Sequence, residues 1–385
     1  MGEMTPRERL TAAIRFQGPD RVPVFPRMWR YMLKHDGSQS HATYLKYVDE
    51  AGLDPILLLA VVPASLLPSP RHDWTPAKGV RVTATRAEEG DCAIVSRLIE
   101  TPAGRLSDRT RIPRPGGQYG IAPDDHIEEY PVKGRDDLPA LRALVSAGLP
   151  RRENTPDFRA FAAKVGERGL TGVNTSSALS HNAGDAVGPE ALMVACLEDP
   201  DFVDELLDIF QEPILASTRW ALERGAEVVY CSAFYESMSG GWGPAIYRRF
   251  FLPRIKALVD LAHEYGAIYF HYDDGKVRGT LGMLQEIGAD LVSTICPPPS
   301  GDLTLREARE IAGGSVCLNG GIDTVNTVWR GTAAEVERAV REAIETAALP
   351  EGGYILGTSD SITEEAPPEN FAAFFQAARR YGRVS

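Results

Sequence analysis

The sequence predicts an eight-fold (β/α)8 barrel of the TIM type, and three observations predict it. Short apolar runs alternate with amphipathic helical patterns along most of the chain, the signature of βα units around a parallel sheet. Several of these runs begin after a glycine turn (Gly225-Ala226, Gly266-Ala267, Gly288-Ala289, Gly352-Gly353), where a helix C′ position calls for φ > 0. The length, 385 residues, suits a single barrel domain in the upper part of the usual range. An open doubly wound sheet is the alternative, but no GxGxxG opens a helix after the first strand.

The predicted strands are Val22–Phe25, Pro55–Ala60, Gly169–Val173, Glu227–Tyr230, Ile268–His271, Leu291–Thr294, Val316–Leu318 and Tyr354–Gly357. Helical patterns cover Thr5–Gln17, Ala42–Ala51, Gly188–Glu223 (interrupted near Asp199-Pro200) and Ala245–Tyr265. They continue through Val277–Ile287, Thr304–Ile311, Thr332–Ala347 and Pro368–Tyr381. One stretch breaks the alternation. Val80–Ile112 holds the β-branched runs VRVTAT, AIVSRLIE and RLSDRTRI, separated by Glu89-Gly90-Asp91 and Pro102-Ala103-Gly104. It reads as antiparallel hairpins, residues 80–112, inserted between the second and third barrel strands of a single domain spanning 1–385. Pro113–Gly120 and Asp124-Asp125 read as loop, and Asp136–Ala147 as helix. An insertion on this face is expected to act as a lid or pocket wall, or to be a plain surface hairpin.

Composition narrows the class. With 43% hydrophobic and 24% charged residues the chain reads as an ordinary globular protein. A net charge of −12 argues against a nucleic acid or an anionic membrane as partner. The opening MGEMTPRERL carries charge where a signal peptide needs an apolar core, and no apolar run reaches the length of a membrane span. Five scattered cysteines without a CxxC fit a reducing cytoplasm.

Active sites of this fold collect at the carboxyl ends of the strands. Those ends carry Arg27, Asn174, Cys231 with Glu236, His271 with Asp273, Cys296, Asn319 with Asp323, and Asp360. In extended backbone, residues i and i+2 share a face, so His271 and Asp273 are expected to converge while Tyr272 faces away. With Cys296 and Asp360 they offer an imidazole, two carboxylates and a thiolate, a donor set for a divalent metal. Each has a plainer role to set beside that one. His271 could be a hydrogen-bonded core residue and Cys296 a small buried one. Asp360 and Asp323 could cap the helices that follow them.

The chain also resembles a known superfamily. MTPRERLTAAIRFQGPDRVPV, EYPVKGRDDLPALRAL, LPRIKALVDLAHEYGAIYFH, IGADLVST and GGYILGTSDSITEEAPPENFAAF are similar to landmarks of the uroporphyrinogen decarboxylase and cobalamin-related methyltransferase superfamily. The likeness runs from residue 4 to about 381. It implies the barrel, a small-molecule substrate and a homodimer. For the decarboxylase branch it implies a doubled-arginine segment for substrate carboxylates, which Arg27 and Arg30 in FPRMWRYM match in part. The aspartate expected after the second strand is missing from ILLLAVVP, and Ser359-Asp360 replaces a histidine-glycine near the last strand. The zinc methyltransferase branch implies ligands at His271, Asp273 or Asp274, and Asp360, with Cys296 added from the related methionine synthase. Exchanging thiolate for carboxylate moves such a site from Zn2+ towards Fe2+ or Mn2+.

The leading expectation is therefore a metal-dependent enzyme of methyl transfer or demethylation, with the metal held by His271, Asp273, Cys296 and Asp360. Zn2+ is the first choice of metal. Arg27, Arg30, Asn174 and Tyr272 would bind substrate, and Glu236 and Asp323 would handle protons. A corrinoid or folate would serve only as an external methyl carrier, the corrinoid on a separate protein, because no DxHxxG is present. A metal-independent decarboxylase or lyase of a small carboxylated substrate is the second expectation. A barrel that binds a ligand or corrinoid protein without turnover is the third.

Overall fold

In the computed structural model the described residues are 3–61, 66–70, 79–116, 125–148, 157–176, 182–233 and 240–383. The loop predicted at Pro113–Gly120 lies partly outside them, and Asp124 and Glu236 lie wholly outside. They fall into two compact units, one of residues 1–60, 156–175 and 218–385, the other of residues 61–155 and 176–217.

The first unit is built on a parallel sheet. Its strands are β1 (Ile56–Ala60), β6 (Leu170–Ser176), β7 (Val228–Ser232), β8 (Ile268–Tyr272), β9 (Leu291–Ile295), β10 (Cys317–Ile322) and β11 (Tyr354–Thr358), hydrogen-bonded in that order as a seven-stranded sheet. The strand predicted at Val22–Phe25 is reduced to one parallel bridge, Val24 with Leu356. Its backbone nevertheless bonds in two directions. Phe25 N donates to Leu356 O at 2.8 Å on β11, and Asp54 N, just ahead of β1, donates to Val24 O at 2.8 Å.

Inward side chains from alternate positions make the core. Ile56, Leu170, Val228, Tyr230, Ile268, Phe270, Tyr272, Leu291, Cys317 and Ile355 pack together, with Leu10, Ala13 and Ile14 of the helix Pro6–Ile14 against them. That helix starts where sequence says it should. Thr5 accepts from Glu8 N while the Glu8 side chain accepts from Thr5 N, a capping box with Pro6 at the first helical position. The same device opens the helices Leu305–Ala312 and Ala333–Ala347, at Thr304 and Thr332.

A buried ion network ties the N-terminal segment to the sheet. Asp54, with no exposed surface, accepts from Arg9 at 2.6 Å, Arg21 at 2.8 Å and Val24 N at 2.9 Å. A charge this deep is tolerated because donors surround both of its oxygens.

The second unit contains a four-stranded antiparallel sheet of β2 (Arg81–Glu89), β3 (Cys92–Thr101), β4 (Gly104–Pro113) and β5 (His126–Glu129), paired in chain order. Ala93, Val95 and Ile112 of its central strands form a buried cluster. Arg97 on β3 grips Asp108 on β4 with two bonds, at 2.8 and 2.6 Å, directly across the ladder. The helix predicted over Gly188–Glu223 is two, Pro189–Glu198 and Pro200–Leu222, divided at Asp199. Among the described residues no helix is long and apolar enough to cross a membrane.

Candidate active site

The parity of β8 decides which side chains meet at the strand ends. Phe270 and Tyr272 face the core with Tyr230, whereas Tyr269 and His271 take the opposite face of the strand. His271 is fully buried there, its Nδ1 hydrogen-bonded to the Tyr269 hydroxyl at 3.1 Å. Its Nε2 has no partner among the described residues, and burial pushes the imidazole down to about 3, so the ring is neutral. The convergence expected of His271 and Asp273, with Tyr272 turned away, is therefore reversed.

A cavity of about 230 Å3 opens at the carboxyl ends of the strands of the first unit. Its walls are aromatic: Phe25, Trp29, Tyr44, Tyr230, Phe270 and Tyr272. Its polar groups are Arg27, Gln39, His41, Asn174, Ser293 and Asn319. Arg27 is placed by the backbone on both sides. Its N–H donates to Thr358 Oγ1 at 3.2 Å, and its carbonyl accepts from Ile362 N at 2.8 Å. The guanidinium then lies over the Tyr272 ring, 4.1 Å from its centroid, and donates to Asp360 Oδ1 at 3.1 Å. The Tyr272 hydroxyl donates to the same oxygen at 3.3 Å.

Asp274, two residues beyond Tyr272, joins this cluster electrostatically. Burial pushes its carboxyl up to about 7; the Asp360 charge adds to the rise and Arg27 opposes it. His41 donates from Nε2 to Leu58 O at 3.0 Å and is held neutral, burial lowering its pKa. Asn319 spans the sheet from below, donating to Phe25 O at 3.1 Å and Ile355 O at 3.2 Å. A methyl on Gly357 would strike that carboxamide. Gly357→Ala is expected to destabilise the fold by about 1–3 kcal/mol through overpacking, read as a lower urea midpoint at unchanged slope.

The predicted site residues thus divide. Arg27, Asn174 and Tyr272 line the cavity, and Asp360 meets Arg27 at its rim. Arg30 does not line it; the side chain is half exposed, 3.9 Å from Glu364 and stacked over Trp29. Asp323, expected to handle protons, caps the helical turn that follows it. One oxygen accepts from Val325 N and Asn326 N, the other from Ser300 and the Asn326 side chain, at 2.7–2.9 Å. Burial alone would raise its carboxyl, but these bonds hold it below the ordinary range. Glu236 lies outside the described residues.

The four predicted metal ligands do not come together. Among the described residues no three His, Cys, Asp or Glu side chains are grouped as a metal ion requires. His271 is on the wrong face, and Asp360 is engaged by Arg27 and Tyr272. Cys296 donates to Pro297 O at 3.7 Å, and burial pushes its thiol up to about 11. Asp273 accepts from Asp274 N at 2.8 Å. These donors do not fit the metal that the sequence predicts.

Reading from sequence missed His41, Tyr44 and Ser293, and offered Asp274 only as an alternative metal ligand. The alternation rule would have found Asp274 once Tyr272, rather than His271, is taken as the inward residue.

Comparison with known proteins agrees with this architecture. Residues 174–381 match the uroporphyrinogen decarboxylase (URO-D) family. The chain is 28% identical over 254 residues to the uroporphyrinogen decarboxylase of Streptomyces avermitilis, covering 65% of this chain and 67% of the relative. It is 27% identical over 257 residues to that of an Arthrobacter species, covering 65% and 69%. The matched stretch thus spans about two thirds of each relative. Among solved structures, a methyltransferase from Methanosarcina mazei superposes with a TM-score of 0.63 at 15% identity, over 98% of this chain and 99% of that one. With the family matched over more than half of its length, the chain belongs to the uroporphyrinogen decarboxylase family.

Proposed function

We propose that the protein is a metal-independent decarboxylase or related lyase acting on a small carboxylate. The observation that carries this reading is Arg27, a guanidinium presented on the Tyr272 ring at the edge of a cavity with largely aromatic walls. A planar fork of donors suits a carboxylate, and the low-dielectric walls strengthen the attraction. Asp360, more than half exposed, gives way to solvent as the substrate anion takes its place. Asn174 offers a further hydrogen bond from the end of β6. The reading includes a closed eight-stranded barrel, in which Val22–Phe25 joins β11 to β1 and sets all strand ends around one cavity.

Asp274 supplies the chemistry. Its carboxyl, protonated up to near neutral pH, delivers a proton to the carbon that bears the substrate carboxylate. The C–C bond then breaks heterolytically, its electron pair stays with that carbon's π-system, and CO2 leaves. Solvent returns the proton to Asp274, so the sum is R–CO2− plus H+ giving R–H plus CO2.

Metal-dependent methyl transfer or demethylation, with a corrinoid or folate as outside carrier, is the second reading. What supports it is the shared architecture with a methyltransferase. Chelation separates the two. CO2 release from a panel of small carboxylates is expected to be the same with and without EDTA, measured on protein made without a metal-binding tag. Activity lost to EDTA and restored by Zn2+, Fe2+ or Mn2+ would favour the second reading instead.

A further inference from the structure

Ser293 is a cavity group that neither the fold nor the proposed decarboxylation uses. It is 2% exposed, lines the cavity, and its hydroxyl has no hydrogen-bond partner among the described residues. An unmatched buried hydroxyl is costly, so its retention calls for a reason.

The backbone around it is unusual as well. Leu318 on β10 faces Val292 on β9, but Gly320 faces Ile295, so Ser293 and Thr294 together oppose Asn319. This is a bulge in a parallel pair, a feature that re-aims side chains near functional sites. Thr294 carries the distortion at φ 62°, a left-handed conformation that β-branched residues avoid. Its hydroxyl bonds the carbonyls of Ser293, at 2.6 Å, and Asp273. The bulge is thereby fastened to the Asp273-Asp274 turn. On the other side Ser293 is the cross-strand neighbour of Tyr272, on whose ring Arg27 rests. An anion anchor resting on the Tyr272 ring and an unpaired hydroxyl on the neighbouring strand thus line one cavity with aromatic walls.

We propose that Ser293 determines specificity by hydrogen-bonding a polar ring substituent of the substrate. The cavity then selects a single-ring carboxylate bearing a hydroxyl or carbonyl oxygen over the unsubstituted ring acid. The proposal rests on the carboxylate reading, and its test keeps the two apart. Benzoate, 3-hydroxybenzoate and 4-hydroxybenzoate serve as probes, titrated calorimetrically into the full chain, Ser293→Ala and Arg27→Gln.

The full chain is expected to bind one of the hydroxybenzoates roughly tenfold more tightly than benzoate, the worth of one buried hydrogen bond. Ser293→Ala is expected to erase that ratio, leave benzoate binding unchanged and melt no lower than the parent, since it removes an unmatched hydroxyl. Benzoate binding that depends on Arg27 but shows no preference, or a preference that survives in Ser293→Ala, overturns the role of Ser293 and leaves the carboxylate reading standing. No binding of any of the three acids, by the full chain or by Arg27→Gln, overturns both.

Discussion

Arg27→Gln is expected to lower kcat/KM on the carboxylate substrate by roughly two to three orders of magnitude while leaving the melting temperature nearly unchanged. Losing a charged partner from a desolvated pair costs about 2–5 kcal/mol, and glutamine keeps reach and hydrogen bonding but neither the charge nor the fork. The loss should fall mainly on KM, because the guanidinium holds the carboxylate in ground and transition state alike. Arg27→Lys should recover only part of the activity, since an ammonium reproduces neither the two-pronged contact nor the stacking on Tyr272 at 4.1 Å. Stability should change little because the Arg27 side chain is a quarter exposed and its partner Asp360 is more than half exposed. Steady-state kinetics on the three proteins checks this, and an Arg27→Gln enzyme within about twofold of the parent would remove Arg27 from the site.

Most of the sheet was legible in the sequence because its strands are short, apolar and punctuated by glycine turns. Seven of the eight predicted runs coincide with strands within a few residues. The eighth, Val22–Phe25, bonds to β11 and to Asp54 just ahead of β1 but is too short to form a ladder of its own. What the sequence could not give was the facing of β8. In Ile268–Tyr272 every residue is buried, so the polar-apolar alternation that orients a half-buried strand is absent. Residue chemistry then favoured His271 and Asp273 as the inward pair, whereas packing against Tyr230 and Ile56 selects Phe270 and Tyr272. Arg27 and Asn174 were found because they need only a strand end, not a face. The bulge at Ser293-Thr294 carries no glycine or proline to announce it, and a threonine at positive φ runs against its own propensity. Asp323 stood directly before a helical turn, and two of its four acceptor contacts are the free N–H groups there.

Asp274→Asn should cut turnover by about 10²–10⁴, the usual worth of a positioned general acid, and its effect on stability should depend on pH in a way an ordinary cavity residue would not show. The Asp274 carboxyl is raised to about 7, first by burial and then by the facing charge of Asp360, with Arg27 opposing. Cys296 and Tyr230 also sense its charge, both neutral at pH 7 because burial raises them. A carboxyl with a raised native pKa is protonated in the folded chain at pH values where the unfolded chain has already lost the proton. Its stabilising share is therefore complete below about pH 4 and is lost as pH rises through about 7. Asparagine carries no such penalty. Relative to the parent, the variant should be close to neutral at pH 4 and more stable at pH 8 by a few kcal/mol, on the order of 1.4 for each tenfold difference in proton affinity between the folded and unfolded chain. The kcat/KM profile of the parent should fall on the alkaline side with an apparent pKa near 7, because the acid must be protonated, and that limb should vanish from the residual activity of the variant. Denaturant unfolding at the two pH values and a pH–rate profile provide the two readouts. A variant less stable than the parent at pH 8 would mean that Asp274 is held as a paired anion, and a limb that persists without it would assign the proton to another group.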